Sequence, residues 1–153
     1  MSRILVSACL LGCNCRYDGQ LKTCQKVIDL AEDPDNVLIP ICPEQMGGLT
    51  TPRVSSERQR DGNGNILPPT AERALVMKNG SDVTENYNRG VEIALKIAKL
   101  NKIDYAILKS GSPSCGKGMI YDGSFSGSKA PGNGITTDAL LAAGYKVINE
   151  DEL

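Results

Sequence analysis

The sequence predicts an α/β protein: a single-domain, three-layer Rossmann-like fold over residues 1–153 with a mainly parallel central sheet. Three observations carry this expectation. Short apolar runs recur along the chain and are continuous rather than alternating, as in strands buried on both faces of a parallel sheet. Segments with helical spacing lie between those runs. The chain has 153 residues and 41% hydrophobic content, the size of one domain that buries a core without disulfide staples. One Phe, five Tyr and no Trp leave that core to Ile, Leu, Val, Ala and Met, which suits packed layers of helices and sheet.

In chain order, the first strand is expected at 3–8 (RILVSA). Residues 20–31 have helical spacing, and a second strand follows at 37–41 (VLIPI). From 50 to 79 the chain is rich in Pro, Gly, Asn and Arg, and only Ile66–Leu67 and Ala74–Met77 suit short strands. This stretch reads as a long excursion, a hairpin, at the functional end of the domain. An amphipathic helix is expected over 83–100, with Val83, Tyr87, Val91, Ala94, Leu95 and Ala98 on its apolar face. Asp82 and Glu85 have capping-box spacing at its start. Strands at 104–109 (DYAILK) and 145–148 (YKVI) bracket a last helix at 136–143, which Gly144 stops.

Seventeen basic residues against eighteen acidic ones create no global field for a nucleic-acid backbone or an anionic membrane, so neither is expected as a partner. The basic run Arg53, Arg58, Arg60 has no interleaved aromatic residues and reads as a solvated loop. The apolar N-terminal stretch is too short to span a membrane and lacks a cleavage signature, so the expected location is cytoplasmic. In that compartment six cysteines point to metal, redox or catalytic use rather than disulfides. The chain has no histidine, which removes the commonest general base and the commonest zinc ligand.

Cys9 follows the first expected strand, Cys42 the second, and Cys115 lies in the loop after the third. Ligands of parallel sheets bind at those carboxyl ends, so these three thiols form the candidate metal site. Sulfur ligation without imidazole leaves zinc or an iron–sulfur cluster, with one position open if only three cysteines bind. Cys13, Cys15 and Cys24 are expected outside the ligand set. Cys13 and Cys15 nevertheless form a Cys9-x3-Cys13-x-Cys15 run that could supply a fourth thiolate. Glu44, two residues after Cys42, is the candidate general base, and Ser112 and Ser114, flanking Pro113, could position a substrate or pass a proton. Strand, serine, cysteine loop and Tyr-Asp-Gly occur in both ILVSACLLGCNCRYDG and AILKSGSPSCGKGMIYDG, which reads as two related loops framing one site.

The chain resembles the DUF523 family, whose characterised activity is 2-thiouracil desulfurase. The matching segments are SACLLG with RYDG, CPEQMGGLTTPR, GSDVT, AILKSGSPSCG, IYDGSFSG and GNGITTDALLAAGYKVINE, in order and nearly end to end. The resemblance implies a [4Fe-4S] cluster held by Cys9, Cys42 and Cys115, with the fourth iron open to the sulfur of a thiolated base or nucleoside. It also implies Glu44 and Ser112 as the catalytic carboxylate and hydroxyl, and a C–S cleavage with no net electron transfer. The acceptor of the removed sulfur stays open. Two rival readings remain from the residues alone. One is a three-cysteine zinc hydrolase or deaminase, for which the second Cys-x-x-Cys motif is missing. The other is a non-enzymatic redox sensor or sulfur carrier working through Cys13 and Cys15.

Overall fold

The computed structural model describes all residues from Met1 to Leu153. In chain order the strands and helices are β1 (Ser2–Ser7), α1 (Gln25–Glu32), β2 (Asn36–Ile41), α2 (Pro43–Met46), β3 (Ser56–Arg58), β4 (Leu75–Met77), α3 (Thr84–Leu100), β5 (Tyr105–Leu108), β6 (Met119–Tyr121), β7 (Lys129–Pro131), α4 (Ile135–Ala142) and β8 (Lys146–Asn149). Single 3-10 turns occupy Ala8–Leu11 and Glu150–Glu152.

The central sheet has the order β2-β1-β5-β8 and is parallel throughout, with Ile4 opposite Leu38 and Tyr105, and Ile107 opposite Ile148. The four strands expected from the apolar runs are the four that form it. Alternate residues of β1 serve opposite cores. Leu5 packs with Ala94, Ala98 and Leu140 of α3 and α4, whereas Ile4 and Val6 pack with Val27 of α1. Sheet between helices on both faces is the expected three-layer arrangement. The chain builds β1 then β2 on one side and returns to add β5 and β8 on the other. The strand order therefore reverses between β1 and β5, and a crevice opens there at the carboxyl ends.

Several local expectations are corrected. The first helix begins at Gln25 rather than at residue 20, because the Cys24 N–H bonds to the Leu10 carbonyl and Lys22 is drawn to the rim of a cavity. In the 50–79 excursion a hairpin does form, but β4 pairs with Ser56–Arg58, and Ile66 makes only an isolated bridge to Arg60. Asp82 caps α3 by accepting from the Thr84 N–H at 3.0 Å and from its hydroxyl at 2.6 Å. Glu85 does not close the box, because Thr84 takes the role of partner. Gly144 does stop α4, at φ +92°. The β6–β7 hairpin was not anticipated, since its strands are only three residues long.

Helix α3 buries Thr84, Tyr87, Gly90, Ala94 and Ala98, a stripe that narrows to small residues where it meets α2. A Cβ on Gly90 would lie 2.1 Å from the Pro43 carbonyl oxygen, and one on Gly47 would lie 2.0 Å from that of Asn86. Backbone thus packs on backbone, and Asn86 and Arg89 donate to the Gly47 carbonyl at 3.0 and 3.2 Å. Replacing a helical glycine with alanine ordinarily gains about 0.5–1 kcal/mol. Here overpacking costs about 1–3 kcal/mol, so Gly90→Ala is expected to lower the urea midpoint of unfolding instead of raising it. The same variant is expected to displace the turn that carries Cys42 and Glu44.

Candidate metal centre and active site

One cavity of about 480 Å³ opens at the reversal between β1 and β5, and Cys9, Cys42, Glu44, Ser112 and Cys115 all line it. Each comes from a segment that leaves the carboxyl end of a parallel strand. Cys9 sits in the 3-10 turn directly after β1, 8% exposed. Cys42 lies between β2 and α2, whose first helical residue, Pro43, suits a helix start because it has no N–H to satisfy. Cys115 lies in the loop after β5, 4% exposed.

The Cys115 loop and the start of α4 complete each other's hydrogen bonds. The Ile135 and Thr136 N–H groups donate to the Pro113 and Ser114 carbonyls at 2.8 Å, which satisfies donors that a helix N-terminus leaves unpaired. Thr137 Oγ1 donates to the Cys115 carbonyl at 2.8 Å, and the Ser114 and Thr136 hydroxyls pair at 2.8 Å. No side chain fits between the two segments, since a Cβ on Gly134 would meet the Ser114 carbonyl carbon at 2.3 Å. Ser114, fully buried, is therefore structural. Ser112 differs. Its Oγ accepts from the Ser114 and Cys115 N–H groups at 3.0 and 3.1 Å, and its own proton remains available to a molecule in the cavity.

Glu44 forms an ion pair through Oε2 with Arg53 Nη2. The Arg53 guanidinium also donates from Nη1 to the Cys15 and Thr50 carbonyls, both at 3.1 Å. Burial works against its charge, but Glu44 and Cys42 outweigh burial and hold it firmly protonated. Glu44 Oε1 has no protein partner and faces the cavity, so one carboxylate oxygen is anchored and the other is free. Arg53 was expected in a solvated loop with Arg58 and Arg60. That reading is corrected, because Arg58 is buried against Asp138 at 2.6 Å and Arg60 binds the Gly64 and Pro131 carbonyls. A charge run in sequence says nothing of carbonyls and carboxylates brought to it by the fold.

Burial pushes the Cys115 thiol up to about 12, with Glu44 adding to the effect. The Cys42 thiol is raised by its contact with Cys15 and then by burial. For Cys15, the Cys42 contact favours ionisation, but the Cys9 contact and burial overcome it and raise the thiol to about 11. Without metal these sulfurs are protonated near neutrality, and any centre they hold must displace their protons. Among the three cysteines placed outside the ligand set, Cys13 is exposed and Cys24 half-buried at the start of α1. Cys15 instead lines the cavity against Cys9 and Cys42.

The two similar loops do frame one site, with Tyr17 and Tyr121 of the two Tyr-Asp-Gly segments both at its edge. Soft thiols lining one cavity, with no imidazole in the chain, suit a sulfur-liganded centre such as an iron–sulfur cluster.

The family model for 2-thiouracil desulfurase matches residues 4–152. The chain belongs to the 2-thiouracil desulfurase family. The uncharacterized protein YbbK of Bacillus subtilis (strain 168) is 43% identical to it over 150 residues, covering 98% of this chain and 97% of that protein. A solved structure of the [4Fe-4S]-dependent thiouracil desulfidase TudS is 41% identical and superposes with a TM-score of 0.84, covering all of this chain and 93% of that one. In the desulfurase fold seen here, the loop after β5 is further tied to the C-terminal turn. Glu150 accepts from the Ser110 N–H at 2.7 Å and pairs with Lys109 at 2.9 Å. Although burial opposes its ionisation, those partners outweigh it and hold the carboxyl below its ordinary value of 4.5. The folded value is depressed, so the stabilisation is full above the unfolded value and fades as pH falls through the folded one. Glu150→Gln is therefore expected to cost about 1 kcal/mol in denaturant unfolding at pH 7, with wild type and variant converging as the pH falls below the depressed folded value.

Proposed function

We propose that the protein is a [4Fe-4S]-dependent desulfurase that removes sulfur from thiolated pyrimidines such as 2-thiouracil without net redox change. The observation that carries this reading is the meeting of Cys9, Cys42, Cys115, Glu44 and Ser112 around one cavity at the strand-order reversal. Cys9, Cys42 and Cys115 are the proposed cluster ligands, leaving the fourth iron open to substrate. When bound, the cluster supplies a Lewis acid for the thiocarbonyl sulfur.

The chain's own groups then divide the work. Arg53 holds Glu44 so that Oε1 faces the cavity, where it takes a proton from the water that attacks the carbon bearing sulfur. Ser112, its oxygen already occupied by two N–H groups, donates its hydroxyl hydrogen to the ring and orients it. The buried walls formed by Ile41, Pro43 and Tyr87 limit the access of further water. The substrate is a small thiolated base or nucleoside, and the six free thiols suit a reducing, cytoplasmic setting.

Anaerobic reconstitution with iron and sulfide, followed by measurement of sulfide and uracil released from 2-thiouracil, tests the reading. Wild type is expected to turn over, and Cys9→Ala, Cys42→Ala and Cys115→Ala to lose the cluster absorption together with activity. Glu44→Gln is expected to keep the absorption and lose about 10²- to 10⁴-fold in turnover. Zinc in place of iron and labile sulfide in the purified active protein would refute the proposal.

A further inference from the structure

We infer that Ser56 and Tyr87 are positioning residues that hold the attacking water for Glu44. This rests on the desulfurase reading above and deepens it by placing the nucleophile. Both side chains line the cavity and both are buried, Ser56 being 9% and Tyr87 2% exposed. They come from elements that carry none of the cysteines. Ser56 opens β3, where it lies opposite Met77 of β4, and Tyr87 lies in the first turn of α3. The Tyr87 ring packs in the apolar cluster of Ala74, Leu75, Val83 and Ile135, a role that phenylalanine would fill as well. Its hydroxyl is not needed for that packing. A buried tyrosine ordinarily gives its hydroxyl a hydrogen-bond partner, and the hydroxyl beside it here is that of Ser56. The two do not meet in hydrogen-bond geometry, so Ser56 Oγ is buried with no protein partner. Such a hydroxyl is costly unless a small polar molecule completes its bonding.

The surroundings say which molecule this is. A tyrosine hydroxyl is protonated near neutrality. Burial and then Glu44 push that of Tyr87 further up, with Arg53 and Cys115 also among its charged neighbours. The Tyr87 hydroxyl therefore looks into the same part of the cavity as the proposed base. Two neutral hydroxyls beside a carboxylate repel an anion and give a water the two to four polar partners it needs. A water there donates to Glu44 Oε1 and to Ser56 Oγ and accepts from the Tyr87 hydroxyl, which leaves one lone pair for the carbon that bears sulfur. Glu44 alone would fix one hydrogen of the water and let the rest swing. The two hydroxyls fix its remaining directions, and alignment of this kind is a large part of what a site contributes to rate. Thiocarbonyl and water become carbonyl and hydrogen sulfide. A carbon–oxygen bond forms, the carbon–sulfur bond breaks with its electron pair on sulfur, and both water protons leave with the sulfide, the first by way of Glu44. Nothing is oxidised or reduced, and Ser56 and Tyr87 keep their own protons.

The test compares wild type with Ser56→Ala, Tyr87→Phe and the double variant, after anaerobic reconstitution with iron and sulfide. All three variants keep the packing and are expected to match wild type in urea midpoint and in cluster absorption. With 2-thiouracil, kcat is expected to fall about five- to tenfold in each single variant, the scale of one hydrogen bond, while KM stays within about twofold. The double variant is expected to lose less than the product of the two, because both side chains act through one water. A crystal structure of the metal-free wild type is expected to show a water bonded to Ser56 Oγ and the Tyr87 hydroxyl, and that of the double variant to lack it. Single variants that raise KM and leave kcat unchanged would mean that the hydroxyls hold the substrate ring, which overturns the inference, as does a wild-type structure with no water between them. Either result leaves the desulfurase reading standing on wild-type turnover. A loaded wild type that releases no sulfide from 2-thiouracil overturns that reading and the inference with it.

Discussion

The site depends on contacts in which backbone meets backbone with no side chain between. Gly90 lets α3 lie directly on the Cys42–Glu44 turn, and Gly134 lets the start of α4 lie on Ser114 and Cys115. Loops are ordinarily the mobile part of a domain. Here two loops that carry cysteines are clamped onto helices at distances that a single methyl group would violate. The rigidity that a catalytic constellation requires comes from an absence of side chains around it.

Charge is handled in the same economical way. Two of the cavity's polar groups are anchored on one side and free on the other. Glu44 is held at Oε2 and open at Oε1, and Ser112 accepts two N–H groups while its proton stays free. Lys109 pairs with Glu150, and Arg53 is held by Glu44, two backbone carbonyls and the Thr51 hydroxyl. These two cations therefore orient other groups. A buried charge left without such partners would cost several kcal/mol.

Much of this arrangement was legible before any coordinates. Continuous apolar runs at Ile4–Val6 and Ile107 announced strands covered on both faces, and the positions of Cys9, Cys42 and Cys115 just beyond them announced a common edge. Arg53, Arg58 and Arg60 were misread because their partners, Glu44, Asp138 and Pro131, are respectively 9, 80 and 71 residues away. That Cys15 lines the same cavity as Cys9 and Cys42 depends on a turn closed by three local hydrogen bonds, which no motif records. The β6–β7 hairpin escaped for a similar reason, since three-residue strands leave no periodicity to detect.

The sequence by itself determined the layered α/β class, the parallel sheet, the soft-ligand character of the site and the identity of its carboxylate. These follow from local residue type and from the rule that parallel strands present their ends on one side. Tertiary structure alone decided which oxygen of Glu44 is anchored, that Ser112 lines the cavity while Ser114 is buried behind it, and that Cys15 lines the same cavity. Such choices turn on differences of a few ångströms between segments distant in the chain. Only the packing of α3 and α4 against the loops sets those differences.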